Sequence, residues 1–336
     1  MTVQELKQAH QHATPIARTD LGDVHIELRQ RTTCYPLGFP LEVASNCEKV
    51  LAAARQTWAG YKPLFKAWPM QLRIAVNESE DHDCPPHPTC RLDHHLVTNV
   101  ADSNNYIVHD ISQGFSYGCV SGASLEHRGY FRYFFLESAA LCHIANRFAT
   151  PIHAACVELD GRGVLLCGDS GAGKSTLAYA CAQSGWSYIT DDCSFLVNDR
   201  TDRLVTGNCL QVRFRPETSA LFPELRDCEI TDRAGAGKPS VELRIPPDSP
   251  IKRVPMSRIS YVVFLNRFGP KHQELDVFPK EVAHRFIAQN LFSLPEVRTI
   301  QEARINTLLQ VKVLELRYHE LSYAVSRLTR LVREDR

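Results

Sequence analysis

Gly168-Asp169-Ser170-Gly171-Ala172-Gly173-Lys174-Ser175 is the stretch whose reading decides the fold. It meets the phosphate-loop pattern G-x-x-x-x-G-K-[ST] at every defined position. In such a loop, backbone N–H groups wrap around the phosphates of a nucleotide, and glycine lets the backbone approach without a side chain in the way. The lysine ammonium reaches the β- and γ-phosphates, and the next hydroxyl serves Mg²⁺. The flanks agree. Residues 163–167 read as a short buried strand, and residues 174–183 read as a helix that aims the positive end of its dipole at the phosphates. The expected phosphate-binding set is Gly168, Asp169, Ser170, Gly171, Ala172, Gly173, Lys174, Ser175 and Thr176. The expected ligands are ATP and Mg²⁺.

A phosphate loop alone does not separate a kinase from a motor or a switch. His153 lies fifteen residues before Gly168, and Asp191 and Asp192 follow the helix at the end of an apolar run. Two adjacent carboxylates beside a phosphate loop suit a division of labour. One polarises an acceptor hydroxyl, and the other holds Mg²⁺.

These residues, at these spacings, resemble the catalytic domain of the HPr kinase/phosphorylase family. Its block runs from a His through G-D-S-G-x-G-K-S and a helix to a Gly and an Asp-Asp pair, here His153, residues 168–175, Gly185 and Asp191-Asp192. Asp169 and Ser170 add specificity, because the general loop pattern leaves those positions free. The resemblance covers about residues 150 to 200. It implies an α/β fold with a P-loop kinase core of the HPr kinase/phosphoenolpyruvate carboxykinase type. It further implies Asp191 as the base toward a seryl hydroxyl, with His153 beside it, Lys174 on the phosphates, and Asp192 and Ser175 at the metal. Gln211 stands where the family has a metal-binding Glu, and Gln lacks the charge that Mg²⁺ prefers. Glu217 lies nearby. The family's later Gly/Arg/Lys loop is only loosely echoed by residues 233–244.

The 336-residue chain has room for one large or two medium domains. We expect a smaller α+β region over residues 1–130 and the catalytic core over residues 131–336. With 38 basic and 38 acidic residues the formal charge is zero, so no nucleic-acid partner is expected. The first eight residues lack the basic start and apolar core of a secretion signal, and no apolar run approaches the roughly 20 residues of a membrane span. Cys156, Cys167 and Cys181 sit in apolar segments as small core residues, which fits a reducing, cytoplasmic location. Strands are expected at residues 23–29, 71–76, 261–265 and 311–316, and a hairpin at 106–110 and 115–120. Helices are expected at 46–55 (capped by Ser45), 131–148 and 321–332.

Three features read two ways. Cys84, His87, Cys90 and His94 are zinc-type ligands, but their spacing fits no familiar finger and the segment is rich in Pro, so we read a surface loop. Arg213 and Arg215 are either a solvated strand face or a phosphate contact. Residues 235–237 are a loop tip or a mobile lid, with Lys238 able to meet a γ-phosphate in a closed state. The expected function is ATP- and Mg²⁺-dependent transfer to a hydroxyl, foremost a Ser of a protein or peptide, with Asp191, His153 and Lys174 as catalytic residues. The alternatives are a small-molecule kinase whose N-terminal region forms the pocket, and a nucleotide-dependent regulator without catalysis. A homo-oligomer is compatible with either.

Overall fold

The computed structural model describes residues 4, 27–77, 82–226, 228, 230–233, 238–267 and 273–334. Seven strands form the first sheet: β1 (Gln30–Cys34), β2 (Leu41–Ser45), β3 (Met70–Asn77), β4 (Thr89–Asp93), β5 (Leu96–Val100), β6 (Tyr106–Asp110) and β7 (Phe115–Ser121). They lie in the order β1-β2-β3-β7-β6-β5-β4, parallel at β2–β3 and β3–β7 and antiparallel elsewhere. One face packs on α1 (Glu48–Trp58) and on α2 (Ser138–Arg147). Val43, Leu72 and Ile74 meet Val50, Leu51, Ala139 and Ile144 there. Burying each of the larger aliphatics is worth about 1.5–3 kcal/mol, which holds both helices on the sheet.

Two expectations shift here. Ser45 ends β2, and its Oγ accepts from the Cys47 amide (3.1 Å), so the helix starts only at Glu48. The expected strand at 23–29 has its first four residues outside the described residues, and strand pairing begins at Gln30. The long apolar helix at 131–148 is present but widened. Arg128–Phe131 is α-helical and Arg132–Glu137 is a π-helical stretch, closed by the Ser138 amide donating to the Tyr133 carbonyl. Such turns are frequent at functional sites. This one brings Arg132 and Glu137, five residues apart, to 3.4 Å.

The second sheet holds β8 (Ala149–Ile152), β9 (Ala155–Leu159), β10 (Arg162–Cys167), β11 (Ser187–Thr190), β12 (Ser194–Val197) and β13 (Leu204–Gly207). A third, small sheet is made of β14 (Gln211–Phe214), β15 (Ile230–Arg233) and β16 (Lys238–Arg244). Residues 238–240, expected in a loop, thus open a strand, while 234–237 lie outside the described residues. The last strands, β17 (Met256–Asn266), β18 (Glu274–Val277) and β19 (Lys312–Arg317), return to the second sheet. Its order is β11-β9-β10-β17-β13-β12-β8, with β19 pairing β17 and β18. β10, β17 and β19 are mutually parallel neighbours, so their carboxyl ends reach one edge together.

The continuous apolar run of β10 follows from burial on both faces. Val164 and Leu166 face α3 (Lys174–Gln183) and the C-terminal α6 (Leu321–Glu334). Leu165 and Cys167 face α4 (Lys280–Ala288) and α5 (Pro295–Leu308). Burial pushes the thiols of Cys156, Cys167 and Cys181 up, so they act as core residues rather than nucleophiles. No helix among the described residues is long and apolar enough to cross a membrane.

A buried polar chain ties α2 to the first sheet. His109 Nδ1 lies 2.8 Å from Ser116 Oγ, which lies 2.7 Å from His143 Nε2. Burial, reinforced by His143, lowers His109 to about 3, and burial with Arg147 lowers His143 to about 4. Folded-state values below the ordinary 6.5 mean that the unfolded chain binds more protons in between, so stability falls as pH drops from about 6.5 toward about 4. Urea midpoints are predicted to fall across that window and to fall less steeply in His143→Gln. Equal slopes would contradict the buried neutral pair.

Candidate active site

At the carboxyl end of β10 the chain enters the glycine-rich loop and leaves it as α3, whose N-cap is Gly173 at φ 96°. A Cβ at Gly173 would stand 2.8 Å from Tyr318 Oη, so both the left-handed backbone and the space require glycine. No side chain caps α3. Its first-turn amides and the positive end of its dipole therefore face the hollow of the loop. Lys174 is buried, and its Nζ donates to the carbonyls of Gly168 (2.8 Å) and Asp169 (3.2 Å). Burial lowers its pKa, while the charge of Asp192 works the other way. Tyr318 Oη donates to the Ala172 carbonyl (3.3 Å), and the Arg267 guanidinium lies over the Tyr318 ring. Both follow the carboxyl ends of strands parallel to β10.

Strand direction brings the remaining residues to this edge. β9 is antiparallel to β10, with Ala155 opposite Leu166, so His153 just ahead of β9 sits at the loop's level. β11 is antiparallel to β9 and runs directly into Asp191 and Asp192. The two carboxylates differ. Asp191 is 5% exposed, and its oxygens accept from Tyr188 Oη (3.0 Å) and from the Arg213 amide (3.0 Å). Burial first, then the neighbouring Asp192, raises it to about 6 against the pull of those donors. Asp192 is half exposed, and its Oδ1 lies 3.4 Å from His153 Nδ1. The family resemblance implies the histidine beside the first aspartate, whereas this ion-pair geometry is with the second. Burial and Lys174 lower the His153 pKa despite Asp192, which favours the neutral ring. Ser175 Oγ lies 3.5 Å from the Asp191 carbonyl.

Two hollows meet at this aspartate pair. The first, of about 570 Å³, is lined by residues 170–171 and 173–176 of the loop and helix together with His153, Arg215 and Arg267. The second, of about 430 Å³, lies on the other side, between α1, the π-helical stretch and residues 208–253. Asp191, Asp192 and Arg213 belong to the walls of both.

The two arginines separate cleanly. Arg213 is committed to structure, with Nε 2.7 Å from Glu242 and Nη2 3.3 Å from Glu137. Arg215 turns to the loop, its Nη2 donating to Ser170 Oγ (2.9 Å). Gln211 lines the second hollow, and with its amide turned appropriately its oxygen accepts from Arg213 Nη2 at 2.9 Å. Glu217 lines the loop cleft and is exposed there. The side chain of Lys238 lies outside the described residues. Cys84, His87, Cys90 and His94 are exposed, with His94 against Asp93 and the His87 ring near Phe134. Part of that segment is strand β4, not loop. Sequence reasoning missed Tyr188, Arg267 and Tyr318. Their only signal was position, inside or just past an apolar strand.

A family model described as "SynChlorMet cassette protein ScmC" matches residues 137–207, the segment from α2 through the loop and the aspartate pair to β13. Among solved structures, the Hpr(Ser) kinase/phosphatase from Coxiella burnetii is similar at 15% identity, over 55% of this chain and 99% of that chain, with a TM-score of 0.29. That is a weak structural relation. No curated protein matches the chain.

Two outcomes follow from the geometry. Gly173→Ala should lose about 1–3 kcal/mol in urea unfolding, because strain and the Tyr318 clash act together. Unchanged stability would contradict the close approach. Replacing Cys84 and Cys90 by Ser should shift stability by no more than about 0.5 kcal/mol, as for exposed positions generally. Stoichiometric zinc in the wild type that is lost in the double variant would overturn the surface reading.

Proposed function

We propose that this chain is an ATP- and Mg²⁺-dependent phosphotransferase acting on a hydroxyl. The observation that carries the reading is the buried aspartate in the wall shared by the loop cleft and a second hollow. One hollow suits the phosphate donor and the other the acceptor, with Asp191 between them.

The residues present fit a triphosphate. Gly173 lets the loop pass close to Tyr318 and Arg267, no side chain caps α3, and the Lys174 ammonium donates to the loop carbonyls of Gly168 and Asp169. With phosphate bound, the Lys174 ammonium exchanges those carbonyls for phosphate oxygens, a stronger charge-assisted contact. Arg215 and Arg267, both lining the cleft, add positive charge where the transferred group gathers negative charge. Ser175 and Asp192 would hold Mg²⁺, which would supply further charge neutralisation on the phosphates. Asp191 orients the acceptor hydroxyl and takes its proton. Each carboxylate oxygen keeps a second acceptor position beyond the bond from Tyr188 or Arg213, and burial makes the group more basic than an ordinary aspartate. His153 stands beside the Asp192 carboxylate, its Nδ1 3.4 Å from Asp192 Oδ1. A Ser of a protein or peptide and a small-molecule hydroxyl are both served by this chemistry.

Three substitutions test the assignment. Lys174→Ala should weaken Mg·ATP binding at least about tenfold in calorimetry, about 1.4 kcal/mol. Equal affinities would remove the nucleotide from this loop. Asp191→Asn should abolish transfer with little change in the Kd for ATP, since an amide accepts no proton. Asp192→Asn should weaken the Mg²⁺ requirement and nucleotide binding together. Wild-type transfer by Asp191→Asn would leave a binding protein as the better account.

A further inference from the structure

The second hollow has a chemistry of its own. Its walls come from residues 36–61 and 132–141 on one side and from residues 208–253 on the other, so parts of the first sheet's unit and of the small sheet enclose it together. At about 430 Å³ it has the volume of a metabolite-sized site. Trp58, Leu141, Phe195 and Leu210 give it an apolar lining. The polar groups are arranged unevenly. Arg132 and Arg213 are both covered by carboxylates: Arg132 Nη2 lies 2.7 Å from Glu242, and Glu137 lies 3.4 Å from Arg132 and 3.3 Å from Arg213. Glu242 and Glu137 thereby cancel two of the four guanidinium charges.

Arg244 and Arg253 are the other two. Among the described residues neither has a carboxylate partner, and Arg253 Nη1 donates to the Ile245 carbonyl (2.7 Å). Arg253 is paired in register with Tyr188, three residues before Asp191 along the same chain segment. The Tyr188 hydroxyl in turn donates to Asp191 Oδ1 (3.0 Å), so the backbone carrying Arg253 runs beside the residue that holds the carboxylate. The hollow thus presents, in one lining, a buried carboxylate, a guanidinium with no carboxylate partner among the described residues, and apolar side chains.

We infer, resting on the phosphotransferase reading above, that this hollow is the acceptor pocket and that the acceptor is a hydroxy carboxylic acid with an apolar body, its hydroxyl toward Asp191 and its carboxylate toward Arg253. The hydroxyl oxygen forms a bond to the γ-phosphorus of ATP, and the bond from that phosphorus to the β–γ bridging oxygen breaks. The hydroxyl proton passes to Asp191, and ADP leaves with the bridging oxygen. The Arg253 guanidinium takes no part in the bond changes. It selects the acceptor by a charge-assisted pair with the carboxylate in a largely apolar surrounding, where an uncharged ester finds no equivalent. A short peptide that ends in a hydroxylated residue offers the same pair of groups as a free hydroxy acid.

The test uses the full chain with Mg·ATP and a graded series of hydroxy carboxylic acids, each paired with its methyl ester. Two further probes are short peptides ending in Ser, with a free or an amidated end. ADP release and the phosphorylated product are read together, and ATP binding is measured on the same samples. At least one acid or free-ended peptide is expected to be turned over with a kcat/KM about tenfold or more above that of its ester or amide, and whichever form is faster identifies the source. Arg253→Gln should raise the KM for the acid about tenfold while sparing the ester and the Kd for ATP, with Arg253→Lys recovering part of the loss. Acids no better than esters across the series, or an Arg253→Gln variant with unchanged KM, would overturn the acceptor assignment. If ATP still binds and an unrelated hydroxyl is still phosphorylated in an Asp191-dependent way, the phosphotransferase reading survives that result. If ATP fails to bind the wild type, both fall.

Discussion

The burial of the Asp191 carboxylate is the constraint on which the rest of the site depends. An ionised carboxylate out of water costs several kcal/mol unless donors surround it. The chain supplies two of them from different units, the Tyr188 hydroxyl on β11 and the Arg213 amide on β14. Satisfying one carboxylate therefore fixes the small sheet against the edge of the second sheet. The same placement sends Arg215, two residues further on, across the mouth of the loop to Ser170. The loop cleft and the second hollow thus meet at one buried group.

The charge network behind it links the third unit. Arg213 reaches Glu242 on β16 and Glu137 on the π-helical stretch, and Arg132 reaches both acids in turn. Buried ion pairs contribute little net stability against apolar alternatives, but removing one member leaves an uncompensated charge. Their consequence here is geometric. A regular α-helix over residues 131–148 would not bring residues 132 and 137 side by side, and the wider turn does. Glu137 and Glu242 are engaged by Arg132 and Arg213, while among the described residues the Arg253 guanidinium has a backbone carbonyl and faces the hollow.

Much of the loop's surroundings was legible in the sequence because the determinants are local. The pattern of residues 168–175, the apolar run ahead of it and the helix behind it involve neighbours in the chain, and the structure has Arg162–Cys167 as strand and Lys174–Gln183 as helix. His153 and the aspartate pair were legible through their spacing to the loop, and the antiparallel β9 brings both to one edge. The second hollow was not legible. It joins Trp58 and Glu137 to Arg253, which are far apart in sequence, and no local pattern announces that pairing. Tyr318 and Arg267 were hidden for a similar reason, because their place beside the loop follows only once β17 and β19 are known to run parallel to β10. The π-helical turn escaped because its residues have the same apolar period as an ordinary helix over so short a stretch. Ser45 was misplaced as a helix cap because its hydroxyl serves a local turn at Cys47 equally well.

On the proposed function, the hollow of the glycine-rich loop receives the phosphates of ATP. Amide hydrogen exchange of the full chain, with and without saturating Mg·ATP, tests it most directly. Protection is predicted over residues 168–176 and at the aspartate pair, where uncapped amides gain phosphate partners, with little change in the far strands β4 and β5. Exchange at residues 168–176 that is indifferent to ATP would contradict the account.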